Sequence, residues 1–132
     1  RNDERGRPRA EWNFREHTTV FYHLFPNNIL VFHPDWMSFL SVYPIAIDET
    51  LFVHHALIPS EPRSEAERAH YEKSFQLIDG HVFQKEDLDI AESIQSGLHA
   101  VAGQRFVLGG LESAIGAFHD AIDRAIAGPH YR

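Results

Sequence analysis

The sequence predicts an α+β protein in which helices pack on one side of an antiparallel sheet. Two observations predict this class. The first part of the chain holds short aromatic-rich runs separated by turn residues, whereas the second part holds segments with helical periodicity and helix-capping residues. Because the connections between the first runs are short, we expect consecutive strands to form an antiparallel meander.

Four runs make up the strand part of the chain. They read TTVFYHLF, NILVF, WMSFLSVYPIAI and LFVHHALI in order. Turn signals separate them, with PNN at residues 26–28, HPD at 33–35 and DET at 48–50. Residues 1–13 contain charge, Arg, Gly and Pro but little that could be buried, so they are predicted to be a linker or loop.

The first predicted helix follows a change in composition. Ser64 to Glu67 has the spacing of a capping box, which predicts a helix that begins near Glu65. We expect it to run to about Asp79 and to end at Gly80.

Two further helices are predicted by apolar periodicity. One runs over residues 83–101 and is closed by Gly103. The other runs over residues 111–127 and is stopped by Gly128-Pro129.

The composition excludes several classes of function. A chain of 132 residues with 43% hydrophobic residues can form one domain with a core. A net charge of −7 argues against nucleic acid as the main partner. The absence of cysteine removes disulfides, thiolate zinc sites and cysteine-held iron–sulfur clusters from this chain. No apolar run is long enough to span a membrane and no signal peptide is recognisable, so the cytoplasm is the expected location.

One acid interrupts the apolar stripe of the second predicted helix. At about 100° per residue, Asp87 lies at the centre of the side formed by Ile90, Ala91, Ile94, Leu98 and Val101. Glu86, Asp89 and Glu92 fall on the solvated face. Asp87 is therefore predicted to point inward, where a carboxylate needs a cation, a hydrogen-bond partner or a proton.

The residues alone leave several interpretations of Asp87 open. It could cap backbone N–H groups, pair with an arginine such as Arg105, or serve a metal or catalytic site. None of the ten histidines forms a pair at the spacing of metal ligands on one element. His54 and His55 are adjacent on a predicted strand and should face opposite sides of the sheet. Nucleophile and phosphate-loop motifs are absent.

Three segments resemble one known family. YHLFPNNILVF looks like a strand–turn–strand with an FPN turn, EDLDIAESIQSGL like a helix with an acid–acid start, and LESAIGAFHDAIDRAI like a long terminal helix. In this order they resemble the C-terminal part of the catalytic domain in the large (alpha) subunit of Rieske non-heme iron ring-hydroxylating oxygenases. The resemblance extends over most of the chain, from about residue 14 to residue 127.

The resemblance implies a fold and a set of site residues. The fold would be part of a helix-grip (START-like) catalytic domain, with residues 14–132 as its C-terminal half. Mononuclear Fe(II) would be held by two histidines and one aspartate. The aspartate falls on Asp87, the second acid of the acid–acid start. Leu77 and Phe83 lie near the positions that line the family's substrate pocket.

The resemblance also implies cofactors and partners beyond this chain. The two histidine ligands and the [2Fe-2S] Rieske cluster would lie in an N-terminal half of the same polypeptide, and the chain, which opens on Arg1, would be a piece of it. O2 would be the oxidant. Electrons would come from NAD(P)H through a reductase or ferredoxin. A homo-oligomer, such as a trimer, and a small organic substrate are expected, with no membrane and no nucleic acid.

Two competing functions are weighed against the oxygenase. The chain could be a metal-free helix-grip module that binds an apolar small molecule in a cavity lined by the aromatic strands. It could also be a structural remnant that serves only in assembly, with Asp87 paired to an arginine.

Overall fold

A four-stranded antiparallel sheet followed by helices forms the fold, as the sequence predicted. The computed structural model describes residues 6, 8–12, 18–98, 100 and 107–128. After a short 3-10 turn at Arg9–Glu11, the strands are β1 (Val20–Leu24), β2 (Asn28–Phe32), β3 (Met37–Ala46) and β4 (Glu49–Leu57). The helices are α1 (Glu65–Leu77), a π-helix (Ile78–Leu88), α2 (Asp89–Leu98) and α3 (Ser113–Ala127).

Each strand pairs with the next one along the chain, so the sheet order is β1-β2-β3-β4. The three predicted turn signals fall at the three connections, and the Phe25-Pro26 peptide in the first of them is cis. Pro44 lies within β3, beyond the last residue that pairs with β2, so its missing N–H removes no hydrogen bond on that side. The meander therefore follows from turn chemistry and from strand composition.

One row of side chains crosses all four strands on the same face. His23 in β1 lies opposite Ile29, Ile29 lies opposite Leu40, and Leu40 lies opposite His54 in β4. Aromatic residues of the helices contact both ends of this row, since Phe118 in α3 meets His23 and residues before and within the π-helix meet His54. Thus α3 covers the β1 side of this face, whereas the end of α1 and the π-helix cover the β4 side.

The most deeply buried part of the described chain lies along β2 and β3. It comprises three apolar and two polar residues, Val31, Trp36, Leu40, Ser38 and Ser41. The Ser41 hydroxyl donates to Asn28 Oδ1 at 2.7 Å, which satisfies one buried polar group. Much of the opposite face is exposed, including Tyr22, Leu24, Tyr43, Leu51 and Leu57.

The predicted start of the first helix is confirmed. Ser64 is the N-cap of α1, and its side chain accepts a hydrogen bond from the Glu67 backbone N–H at 3.2 Å. The Glu67 carboxylate accepts from the backbone N–H of Arg63, one residue further back than in the standard capping box.

The predicted end of the first helix is wrong. Gly80 does not stop it, because the chain continues directly from α1 into the π-helix and from there into α2. Gly80 is helical, and a Cβ built there would meet nothing within 4 Å. One continuous helical segment with a change of hydrogen-bond pattern replaces the expected break.

The other helix bounds differ less from the prediction. The second helix, expected as one α-helix over residues 83–101, is π-helical to Leu88 and α-helical to Leu98, while Val101 and Gly103 lie outside the described residues. α3 begins at Ser113 and is followed by Gly128, close to the predicted 111–127. No helix in the described part of the chain is long and apolar enough to cross a bilayer.

Candidate functional site

Asp87 does not point inward. It lies in the last turn of the π-helix and its side chain is exposed. Phe83 and Leu88 are half-buried, whereas Asp87 is exposed. The side on which Asp87 was predicted to lie is itself exposed, since Ile90 and Ile94 are 58% and 56% exposed. Much of the apolar stripe of this helix is therefore uncovered by the described residues.

The acids near Asp87 differ in their partners. Asp79 lies 2.9 Å from His54, and Glu86 lies 3.8 Å from His81. Asp87 has no hydrogen bond or ion pair within the described residues. Arg105, one partner considered for it, lies outside the described residues. The Asp87 carboxylate therefore makes no polar contact with other described side chains.

The two residues expected near a substrate pocket lie in different environments. Phe83 packs against the sheet, with its ring centroid 5.5 Å from that of Phe52 and 5.0 Å from that of His54. Leu77, at the end of α1, is 58% exposed. The described structure brings Phe83 to the sheet and leaves Leu77 at the surface.

A buried polar chain lies beneath the π-helix. His54, whose side chain is 3% exposed, places Nδ1 2.9 Å from Asp79 Oδ1 and Nε2 2.9 Å from Ser38 Oγ. Ser38 is 0% exposed, and its hydroxyl also lies 3.2 Å from Nε2 of His33. The rings of Phe75 and Phe83 contact the His54 imidazole at 4.9 and 5.0 Å.

One set of hydrogen-bond directions satisfies all four groups when both imidazoles are neutral. An ionised Asp79 can only accept, so His54 Nδ1–H donates to it. Nε2 of a neutral His54 then accepts from the Ser38 hydroxyl, and the Ser38 oxygen accepts from His33 Nε2–H. Burial lowers the pKa of His33 from its ordinary value, with His54 adding to the lowering and Asp35 opposing it.

The order Ser38–His54–Asp79 is the order of a hydrolase triad, but this arrangement cannot act as one. Ser38 is completely buried in β3, so its oxygen cannot reach a substrate carbonyl. The hydroxyl is used within the protein, between two imidazoles. These hydrogen-bonded side chains therefore connect the sheet to the helix and do not supply a nucleophile.

Sequence reasoning missed this polar chain. The adjacency of His54 and His55 correctly predicted that they face opposite sides, since His54 turns toward the helices and His55 lies near Phe39 on the other face. The partners of His54 are 16 and 25 residues away in the sequence. No local pattern connects them.

Two of the grooves that are lined by described residues lie between the helices and the sheet. The larger, about 680 Å³, lies under α3 and is mainly apolar, with a lining that includes His23, Ile29, Val42, Ile115, Phe118 and Ile122. The smaller, about 610 Å³, lies between α2 and the β3–β4 hairpin and includes Asp48, Glu49, Phe52, Leu88, Glu92 and Gln95. Among the described residues, no group of three His, Cys, Asp or Glu side chains is placed to hold a metal ion.

Comparison with known proteins decides the family. The model of the family described as "Ring hydroxylating alpha subunit (catalytic domain)" matches residues 1–128 of the chain. The chain belongs to this family. No curated protein and no solved structure matches it.

Membership in the ring-hydroxylating alpha subunits confirms the family that the three sequence segments resemble, and the sheet followed by helices is consistent with its catalytic domain. It makes the chain part of an oxidoreductase. In general, this family implies non-heme iron and Rieske cofactors, oligomeric alpha subunits and electron-transfer partners.

Proposed function

We propose that the chain is the C-terminal part of an oxygenase catalytic domain that uses Fe(II) and O2 to hydroxylate an aromatic or related small organic substrate. The family match over residues 1–128 is the observation that carries this proposal. Electrons would come from a Rieske cluster outside these residues, supplied by a ferredoxin or reductase. Insertion of one or of two oxygen atoms would both be compatible with the family.

We assign the aspartate iron ligand to Asp87. Carboxylate oxygen is one of the ligands of the two-histidine, one-carboxylate iron site. Asp87 suits this role because it is exposed at the end of the π-helix and uncommitted to other described side chains, whereas Asp79 and Glu86 already have imidazole partners. π-helical turns occur frequently at functional sites.

One carboxylate fits one position of such a site. The sequence holds no histidine pair at ligand spacing, so in this proposal both imidazoles come from outside these 132 residues. Iron held in this way would supply the chemistry that activates O2. Asp87 would anchor the metal and would not act as an acid or base.

Phe83 is the better supported of the two proposed substrate-binding residues. It lies four residues before Asp87 in the same helix, and its ring packs at the sheet face that the helices cover. Leu77 would take part only if a substrate or another segment covers it, since it is largely exposed in the described structure.

A metal-free binding function is the second candidate. The groove of about 680 Å³ under α3 has the volume of a small-molecule site and a mainly apolar lining. On this alternative, an apolar ligand would bind there without iron, and Asp87 would be an ordinary surface acid.

Iron content and product formation test the proposal together. The full-length polypeptide would be purified, assayed for iron, reduced, and supplied with ¹⁸O2 and a panel of aromatic and amine substrates. Labelled oxygen in a product, together with mononuclear iron in addition to the cluster iron, supports the oxygenase. Absence of mononuclear iron, combined with saturable binding of an apolar ligand, would favour the binding module instead.

A further inference from the structure

The polar chain beneath the π-helix links two strands of the sheet to the helix that carries Asp87. Ser38 and His54 belong to the central and edge strands β3 and β4, whereas Asp79 is the second residue of the π-helix. Among the described residues, the His54–Asp79 bond is the only hydrogen bond between a π-helix side chain and the sheet. This hydrogen bond is therefore the described contact that depends on how the π-helix is oriented relative to the sheet.

The imidazole is itself held on both sides. Ser38 donates to its Nε2 from a fully buried position, and the stacked ring of Phe75 and the edge-on ring of Phe83 restrict its rotation. Because hydrogen bonds require alignment and apolar contacts do not, the bond to Asp79 can select one rotation of the helix among several that would bury Phe83 equally well.

The rotation of this helix determines where Asp87 lies. Asp79 and Asp87 are eight residues apart within one uninterrupted π-helix, so fixing the first also fixes the direction of the second. A π-helix has poorer intrinsic support than an α-helix and occurs mostly as single turns. The 11-residue example in this chain is long for its class.

We propose that His54, oriented by Ser38 and bonded to Asp79, is a positioning residue that fixes the phase of the π-helix and thereby the place of Asp87. This inference rests on the proposed function only in its last step, the role of Asp87 toward iron. The anchoring step concerns residues of this chain alone.

Three substitutions separate the hydrogen bond from the packing. His54→Phe keeps an aromatic ring between Phe75 and Phe83 but removes both hydrogen bonds. Asp79→Ala removes the acceptor at a partly exposed position and should fold even where His54→Phe does not. Asp79→Asn keeps an acceptor for His54 Nδ1–H and should restore the parent behaviour.

Amide hydrogen exchange measures the anchoring without iron. In the full-length protein, we expect amides of residues 80–88 to exchange at least tenfold faster in His54→Phe and Asp79→Ala, with α3 unchanged and Asp79→Asn similar to the parent. His70→Phe, which removes the 2.6 Å contact of His70 with Asp35 at the surface, is the matched control. Unchanged exchange in both disruptive variants would overturn the anchor.

Iron affinity measures the consequence for Asp87. We expect Fe(II) to dissociate at least tenfold more readily from His54→Phe and Asp79→Ala, and Asp79→Asn to rescue binding. Faster exchange with parent-like iron affinity would overturn the positioning role. A parent protein without mononuclear iron would overturn the proposed function, while the exchange result would still decide the anchor.

Discussion

Phe118 in α3 meets His23 in β1 edge to face, with ring centroids 4.7 Å apart and ring planes at 86°. Phe25 also contacts the Phe118 ring, with centroids 6.3 Å apart. This cluster joins the last helix of the chain to its first strand, so the N- and C-terminal parts of the described fold depend on each other.

Phe118→Ala should loosen α3 from the sheet. The ring is half-buried, so we expect a loss of about 2 kcal/mol, below the roughly 3–5 kcal/mol of a fully buried phenylalanine. Urea denaturation followed by circular dichroism measures it. Ile126→Ala, at a 69% exposed position of the same helix, should cost less than about 0.5 kcal/mol. Equal effects of the two would contradict the contact.

Ser64→Ala should destabilise the start of α1. The Ser64 side chain accepts from the Glu67 N–H, and losing an N-cap of this kind typically costs about 1 kcal/mol. The shift in the urea midpoint provides the measurement. Ser96→Ala is the control, because the Ser96 hydroxyl bonds only the carbonyl of Glu92 within its own helix. A larger effect at Ser96 would refute the cap.

His33 should make the fold less stable in mild acid. Its pKa is lowered in the folded state by burial, so the unfolded chain binds more protons at this site between the folded pKa and about 6.5. Its contribution is complete above the unfolded pKa and is lost as the pH falls toward the folded one.

His33→Gln should therefore reduce the slope of unfolding free energy against pH in the range below about pH 6.5, down to the lowered pKa of the folded state. Gln can still donate to Ser38, so the comparison isolates the titration. The slope is obtained from denaturation at several pH values, with His119→Gln, an exposed histidine, as the matched substitution. If both variants change the slope equally, His33 is not its source.

Asp87→Ala should remove mononuclear iron from the full-length protein and leave the fold intact. Glu86→Ala and Asp89→Ala change neighbouring acids in the same helical segment, and each should alter stability by less than about 0.5 kcal/mol and retain iron. Elemental analysis and circular dichroism provide the two readouts. Iron loss in Glu86→Ala in place of Asp87→Ala would move the ligand by one residue.

The strands were predictable from local chemistry. Turn residues at three places and alternating aromatic runs between them set the four strands, and Ser64 set the start of α1. These features depend on residues close together in the sequence, where turn and capping preferences act. That His54 and His55 face opposite sides of the sheet was predictable for the same reason, since adjacent strand residues alternate.

The candidate site was less predictable because it depends on helix phase and on distant contacts. Gly80 looked like a terminator, but the helix continues through it in a π-helical form that no local pattern indicated. Asp87 is exposed, against the expectation, because the side that it was predicted to share with Ile90 and Ile94 is itself exposed among the described residues. The pairing of His54 with Asp79 depends on how the helix packs against the sheet. No pattern across this separation of 25 residues predicts that packing.

The π-helix also makes chain length a variable in this segment. Each turn closed between residues five apart takes one residue more than an α-helical turn, so the segment holds surplus residues that an α-helix of equal rise would not need. A single deletion here, for example of Gly80, could relax the segment to α-helix and keep both ends in place. It would also swing the acids that follow around the axis. When relatives are aligned through residues 78–88, one gap can thus decide which acid is equated with the ligand.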